Sequence, residues 1–279
     1  MAARTADGAL IPEEIAATVL DPHAPDEAVS EACERAYAAL AARVPFAAPK
    51  QLDCGLALSP MDAAHCLRDA RRTAAFARAL LHAIQSLQTP VEVVYAGTGP
   101  LAPFAWLVMP FVRDVRFTLI DIHESAVAAV RALLPHANAV CADAARYRHD
   151  RPIDIAITET MQRALAREPF VEIVRNLKPQ LSARGVLIPE RVSVELAAGE
   201  SATTIFSIDA QSETNGATIA IARGVTPALQ TRIVAGSGEV LEPYDSGLTH
   251  PEILWNLAPG TYGFRYETGP HPSIRSTPQ

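Results

Sequence analysis

The residues of this chain best placed for chemistry are a glycine turn and two aspartates. Gly97, Thr98 and Gly99 directly follow the β-prone run 91–95. Lacking Cβ atoms, the two glycines let backbone approach a ligand closely at a strand's carboxyl end. Continued to Ala102 the run fits G-x-G-x-x-A, with Asp121 about twenty-four residues after Gly97, the spacing of an acid that binds ribose hydroxyls. Asp143 follows a third short apolar run. On the same sheet edge, one carboxylate can take a ribose diol and the other an adenine amino group. The plain alternatives are a tight turn without ligand and two ordinary turn or cap aspartates. Together, each at a strand end beside a glycine turn, they favour an adenosine pocket.

Such a pocket needs a sheet to hold it, and the periodicity supplies one. Residues 27–43 have helical spacing, with Cys33, Tyr37, Leu40 and Val44 near one face. A second helix starts at Ser59-Pro60, where serine can cap and proline can take the first helical position, and is expected to run to about Leu87. Short apolar runs at 91–95, 117–120, 139–141, 153–157 and 185–188 then alternate with helical stretches around Val127–Leu134 and Phe170–Leu177. This alternation predicts an α/β fold with a doubly wound parallel sheet. After Pro189 the helical period disappears, and 192–196, 218–222, 231–234 and 262–266 read as strands between turn residues. The expected organisation is an N-terminal helical segment over 1–48, a Rossmann-like domain over 49–189 and a small β-rich, barrel-like domain over 190–279.

Composition narrows the function. The 279 residues carry 24 Lys and Arg against 31 Asp and Glu, a formal charge of −7, which argues against a nucleic-acid partner. Acids and prolines interrupt the first 25 residues where a secretory peptide needs an apolar stretch, and no segment is long enough to span a bilayer. A cytoplasmic protein without membrane association is expected. Cys33, Cys54, Cys66 and Cys141 form no CxxC pair, so neither a disulfide framework nor a metal site is expected. His65, His82 and His250 read as packed or solvated rather than as ligands or catalysts.

With these motifs in hand, the chain resembles the class I S-adenosylmethionine-dependent methyltransferases, and more specifically the protein arginine methyltransferase family, over residues 59 to 192. The family's D-x-x-R-T matches Asp69-Ala70-Arg71-Arg72-Thr73. The resemblance implies that Arg72 binds the carboxylate of the cofactor's methionine moiety, a task suited to a planar guanidinium. The family's S-E-x-M-G-x-x-L-x-x-x-E loop resembles residues 158–168, with Glu159, Met161 and Leu165 in register and Glu168 one residue ahead of the second acid's position. It implies that Glu159 and Glu168 grip a target guanidinium, with Met161 near the reacting methyl. Fixed negative charge suits an arginine that never loses its proton. Held at both ends, the guanidinium is positioned and polarised rather than attacked covalently. The cofactor implied is S-adenosyl-L-methionine, contacted by Arg72, Gly97, Thr98, Gly99, Asp121, Asp143, Ala144 and Glu159. The implied partners are a small-molecule or protein guanidino substrate, with room for a homodimer.

The sequence also departs from the family. Tyr95 stands where an acid ends the first strand, Leu101 replaces the third glycine and Gln162 the loop glycine; the T-H-W loop is only echoed by Thr249-His250-Pro251. About ninety residues after Pro189 are short for the usual barrel with its dimerisation arm. These departures favour a small acceptor such as free arginine at least as much as a protein tail. Three other readings stay open: a natural-product N-, O- or C-methyltransferase, an NAD-dependent oxidoreductase using the same glycine turn, and a non-catalytic interaction protein. Pro103 and Pro110 fit poorly in the long helix an NAD site would need.

Overall fold

The structure, a computed structural model, describes residues 13–199 and 201–279. The part of the N-terminal segment before Glu13 lies outside the described residues. Helices α1 (Glu13–Leu20) and α2 (Asp26–Leu40) open the chain with acids in their first turns, where the helix dipole favours negative charge. They bury Ile15, Val19, Val29, Cys33 and Leu40. A hairpin of β1 (Lys50–Leu52) and β2 (Gly55–Ala57) follows, then α3 (Pro60–His65) and α4 (Ala70–Ser86).

The single helix expected from Ser59 to Leu87 is two. Asp69 adopts φ −77° and ψ 84°, which ends a short 3-10 turn, and its side chain accepts a hydrogen bond from the Arg72 N–H to cap α4. Asp69, which falls inside the helix expected from the sequence, is therefore an N-cap, and Arg72 lands in the first turn of a new helix.

The rest of the α/β part is β3 (Val91–Ala96), α5 (Pro103–Val108), β4 (Val115–Asp121), α6 (Glu124–Leu133), β5 (Asn138–Cys141), β6 (Ile153–Thr158), α7 (Phe170–Leu177) and β7 (Leu181–Ile188). The five strands form one parallel sheet in the order β5-β4-β3-β6-β7. The winding reverses beside β3, the topological switch point at which open α/β sheets bind ligands. All six residues of β3 are buried, as a central parallel strand covered on both faces requires. In register, Ala96 lies opposite both Ile120 and Thr158. Gly97, Asp121 and Glu159 therefore form one row at the carboxyl edge of the sheet.

After Ile188, all pairings are antiparallel. The strands are β8 (Arg191–Ala198), β9 (Ser201–Asp209), β10 (Glu213–Asn215), β11 (Ala217–Ile221), β12 (Ala228–Gly236), β13 (Glu239–Leu241), β14 (Glu252–Ile253), β15 (Gly260–Glu267) and β16 (Ser273–Pro278). One sheet runs β10-β9-β8-β12-β13, with β14 on β12, and a second runs β11-β15-β16. The mixed α/β fold with a parallel central sheet and a β-rich C-terminal part agrees with the class read from the sequence. Among the described residues no helix is long and apolar enough to cross a membrane.

Candidate active site

At the row formed by Gly97, Asp121 and Glu159 lies a cleft, lined also by Tyr95, Thr98, Gly99, Asp143, Ala144, Thr160 and Glu168. Gly97 has φ 71°, and a Cβ there would run into the Thr160 methyl group, so only glycine fits. The Gly97 and Thr98 N–H groups both donate to the Ile120 carbonyl, at 2.8 and 3.1 Å. Asp121 closes the turn: its Oδ2 accepts from the Gly99 N–H and its Oδ1 from the His123 N–H, each at 2.8 Å. Burial raises the acid's pKa, and these backbone donors oppose the rise. Asp121 thus shapes the glycine turn as well as facing the cleft. Asp143 accepts from the Ala145 N–H at 2.9 Å, and the Ala144 carbonyl is held by the Asn176 amide at 2.9 Å.

The two glutamates come together in the same cleft. Glu159 accepts from Arg72 Nη1 at 3.2 Å. Burial pushes its pKa up to about 7 against the opposing pull of that guanidinium. Glu168 is 6% exposed, and burial together with the charge of Glu159 pushes it up to about 8, while a hydrogen bond from the Gln162 side chain pulls the other way. Gln162, at the position of the family's loop glycine, thereby acquires a task that its spacing alone does not reveal.

The loop that carries them, 159–169, is held under constraint. Ala164, Leu165 and Arg167 have φ of 54°, 53° and 68°, a left-handed conformation that is costly for residues with a Cβ. The β-rich part fixes them. The Ala164 N–H donates to Thr231 Oγ1 at 2.7 Å, the Tyr266 hydroxyl to the Leu165 carbonyl at 3.2 Å, and the Arg167 N–H to the Pro272 carbonyl at 3.0 Å.

Two residues sit elsewhere than the cleft wall. Arg72 is buried behind it, donating to Glu159 and to the Cys66 carbonyl, with Asp69 at 4.0 Å. Met161 is 2% exposed and packed in the core rather than along the cleft.

The sequence matches no protein-family model and no curated protein. Many solved structures are similar, among them two protein arginine methyltransferases. Trypanosoma brucei PRMT1, in its enzyme–prozyme heterotetrameric complex with AdoHcy, aligns with a TM-score of 0.54 at 13% identity, over 73% of this chain and 86% of that one. Arabidopsis thaliana protein arginine methyltransferase 10, in an open conformation, aligns with a TM-score of 0.54 at 15% identity, over 72% and 86%. The chain has a protein arginine methyltransferase-like fold.

Within that fold this chain has features its motifs did not disclose. The β1–β2 hairpin roofs the cleft with Leu52 and Ala57. It is tied down by the Leu56 N–H on the Arg167 carbonyl at 2.7 Å, by Lys50 Nζ on the Ile122 carbonyl at 2.9 Å and by Gln51 on the Pro270 carbonyl at 2.7 Å. The loop echoing T-H-W presents backbone rather than a ring to the α/β part: the Gly247 N–H donates to Asp69 Oδ2 at 2.9 Å, while His250 packs edge-on against Tyr244. Thr160 and His123 also line the cleft, and only the fold brings them there.

Proposed function

We propose that this protein is an S-adenosyl-L-methionine-dependent N-methyltransferase whose acceptor is a guanidino group, on a free arginine-like small molecule or a protein arginine. The observation that carries the reading is the convergence of two carboxylates largely removed from water, Glu168 buried and the Glu159 side chain 11% exposed, on the cleft at the switch point of the sheet. Buried acids held together without a full complement of cations favour a cationic ligand. The residues present fit the cofactor: a glycine turn without room for a Cβ, Asp121 and Asp143 as acceptors at strand ends, and Ala144 beside them. When bound, S-adenosyl-L-methionine supplies an electrophilic methyl group on sulfur. Glu159 and Glu168 hold and orient the guanidinium, and Arg72 sets the position of Glu159 through their ion pair. The β1–β2 hairpin shields the cleft from water.

In this reading, the described part of the N-terminal segment, residues 13–48, buttresses α4, 49–189 hold the cofactor and 190–279 brace the acid loop and border the acceptor. The enzyme acts in the cytoplasm, away from nucleic acid and membrane. The test is methyl transfer to free arginine, arginine peptides and citrulline by wild type, Glu159→Gln and Glu168→Gln. Transfer to arginine and not to citrulline, lost by orders of magnitude in both variants while AdoHcy still binds, is expected. Equal rates on arginine and citrulline overturn the guanidino assignment. The observation in favour of a second reading, an uncharged natural-product acceptor, is that Arg72 already offsets the charge of Glu159; equal rates are its signature.

A further inference from the structure

Tyr95 stands where the resemblance implies an acid, and its surroundings give the phenol a use. Its ring stacks on Phe104 with 5.2 Å between centroids, and Phe104 stacks on Phe76 at 5.4 Å. The residue is 2% exposed, and it faces the cleft. No hydrogen bond joins its hydroxyl to another described residue, and its oxygen is not one of the fully enclosed unpaired polar atoms, so it opens to the cleft. The groups acting on it are Glu159 most strongly, then Arg72, Cys66 and Asp121, which places it toward the Arg72–Glu159 end of the cleft. Burial, reinforced by Glu159, holds the phenol well above its ordinary range, so it keeps its proton and can donate.

Other donors near that end are already engaged. Arg72 donates to Glu159 and to the Cys66 carbonyl and does not line the cleft. The Gly97 and Thr98 N–H groups go to the Ile120 carbonyl, and the Gly99 N–H to Asp121. The amino-acid end of an S-adenosyl ligand brings an ammonium, which Glu159 suits, and a carboxylate, which the two glutamates repel. We propose that the Tyr95 hydroxyl donates a hydrogen bond to the carboxylate of the ligand's amino-acid end, a contact that an ionised acid at this position cannot make. Tyr95 is then a positioning residue that replaces charge repulsion with a donor.

This rests on the methyltransferase reading, and the test separates the two. S-adenosylhomocysteine and 5′-methylthioadenosine share the adenosine, but only the first carries the amino-acid end. Calorimetric titration of wild type and Tyr95→Phe with each ligand is the measurement. Phenylalanine keeps the stack on Phe104, so the melting temperature of the ligand-free protein is expected to stay unchanged. The variant is expected to bind S-adenosylhomocysteine about tenfold or more weakly, the lower end for a hydrogen bond to a charged group, and methylthioadenosine as wild type does. Equal weakening for both ligands, or for neither, overturns the proposal, as does a large fall in ligand-free melting temperature, which would mark a hidden protein partner. In those cases wild type still binds S-adenosylhomocysteine. Wild type that binds neither ligand brings down the methyltransferase reading and the proposal with it.

Discussion

A carboxylate removed from water and set near a second one resists ionisation, and Glu159 and Glu168 share that situation. Their ordinary value of 4.5 rises to about 7 and about 8. The sign follows: because the folded protein holds these protons more tightly than the unfolded chain, the pair contributes stability that is complete at low pH and fades as pH rises through about 7 to 8. The ligand-free melting temperature is therefore expected to fall between about pH 4.5 and about pH 8 through this pair and to level off above, and Glu168→Gln to flatten that part of the profile. On the proposed function a guanidinium displaces the protons, so arginine affinity is expected to rise over the same window. Titrations in buffers of different ionisation enthalpy will count the protons released. The two acids were legible as a motif because they sit in a single loop with Met161 and Leu165 between them. Tyr95 and Gln162 were legible only as departures, since their roles depend on partners supplied by the fold.

Among the elements, α4 shows what one cap can do. Periodicity from Ser59 to Leu87 conceals a break, because the apolar residues continue past Asp69 on a compatible face while its side chain turns back to cap Arg72. The same carboxylate reaches the Gly247 N–H, so it fixes the helix start and a loop from the β-rich part together. Asp69→Ala is expected to cost roughly 1 kcal/mol or more, the scale of a lost N-cap, and Asp69→Asn less, because an amide oxygen can still accept. Chemical denaturation of the three proteins checks the order. The β1–β2 hairpin carried no signal at all: its strands have three residues each, too short for an alternation to register, and its place is set by Gly55. At φ 146°, a Cβ on Gly55 would come within 2.7 Å of the Arg167 carbonyl. Gly55→Ala should lower the melting temperature and expose the hairpin to proteolysis.

At the scale of the whole molecule, the acid loop belongs to both halves. Its acids follow β6, yet its left-handed residues are held by Thr231, Tyr266 and Pro272 from the β-rich part. The sequence could suggest separate layers, but contacts more than sixty residues apart in the chain leave no local pattern to read. Thr231→Val keeps shape and leaves the buried Ala164 N–H without a partner, a loss of about 1–3 kcal/mol. Methyl transfer is expected to fall more than AdoHcy affinity, since the cofactor side of the cleft is untouched; an equal fall in both would show that the loop and the glycine turn move as one. The hairpin, for its part, bears on time. Its backbone is fastened to the Arg167 carbonyl, one residue before Glu168, and its two side-chain ties are exposed. Exposed ties of this kind exchange readily with water, whereas the backbone tie must break in a single event that also disturbs the loop of the second acid. On the proposed function, departure of a spent cofactor is expected to be coupled to loosening of the acceptor's grip, so that the two products leave on one clock and the rate of hairpin opening sets an upper bound on turnover.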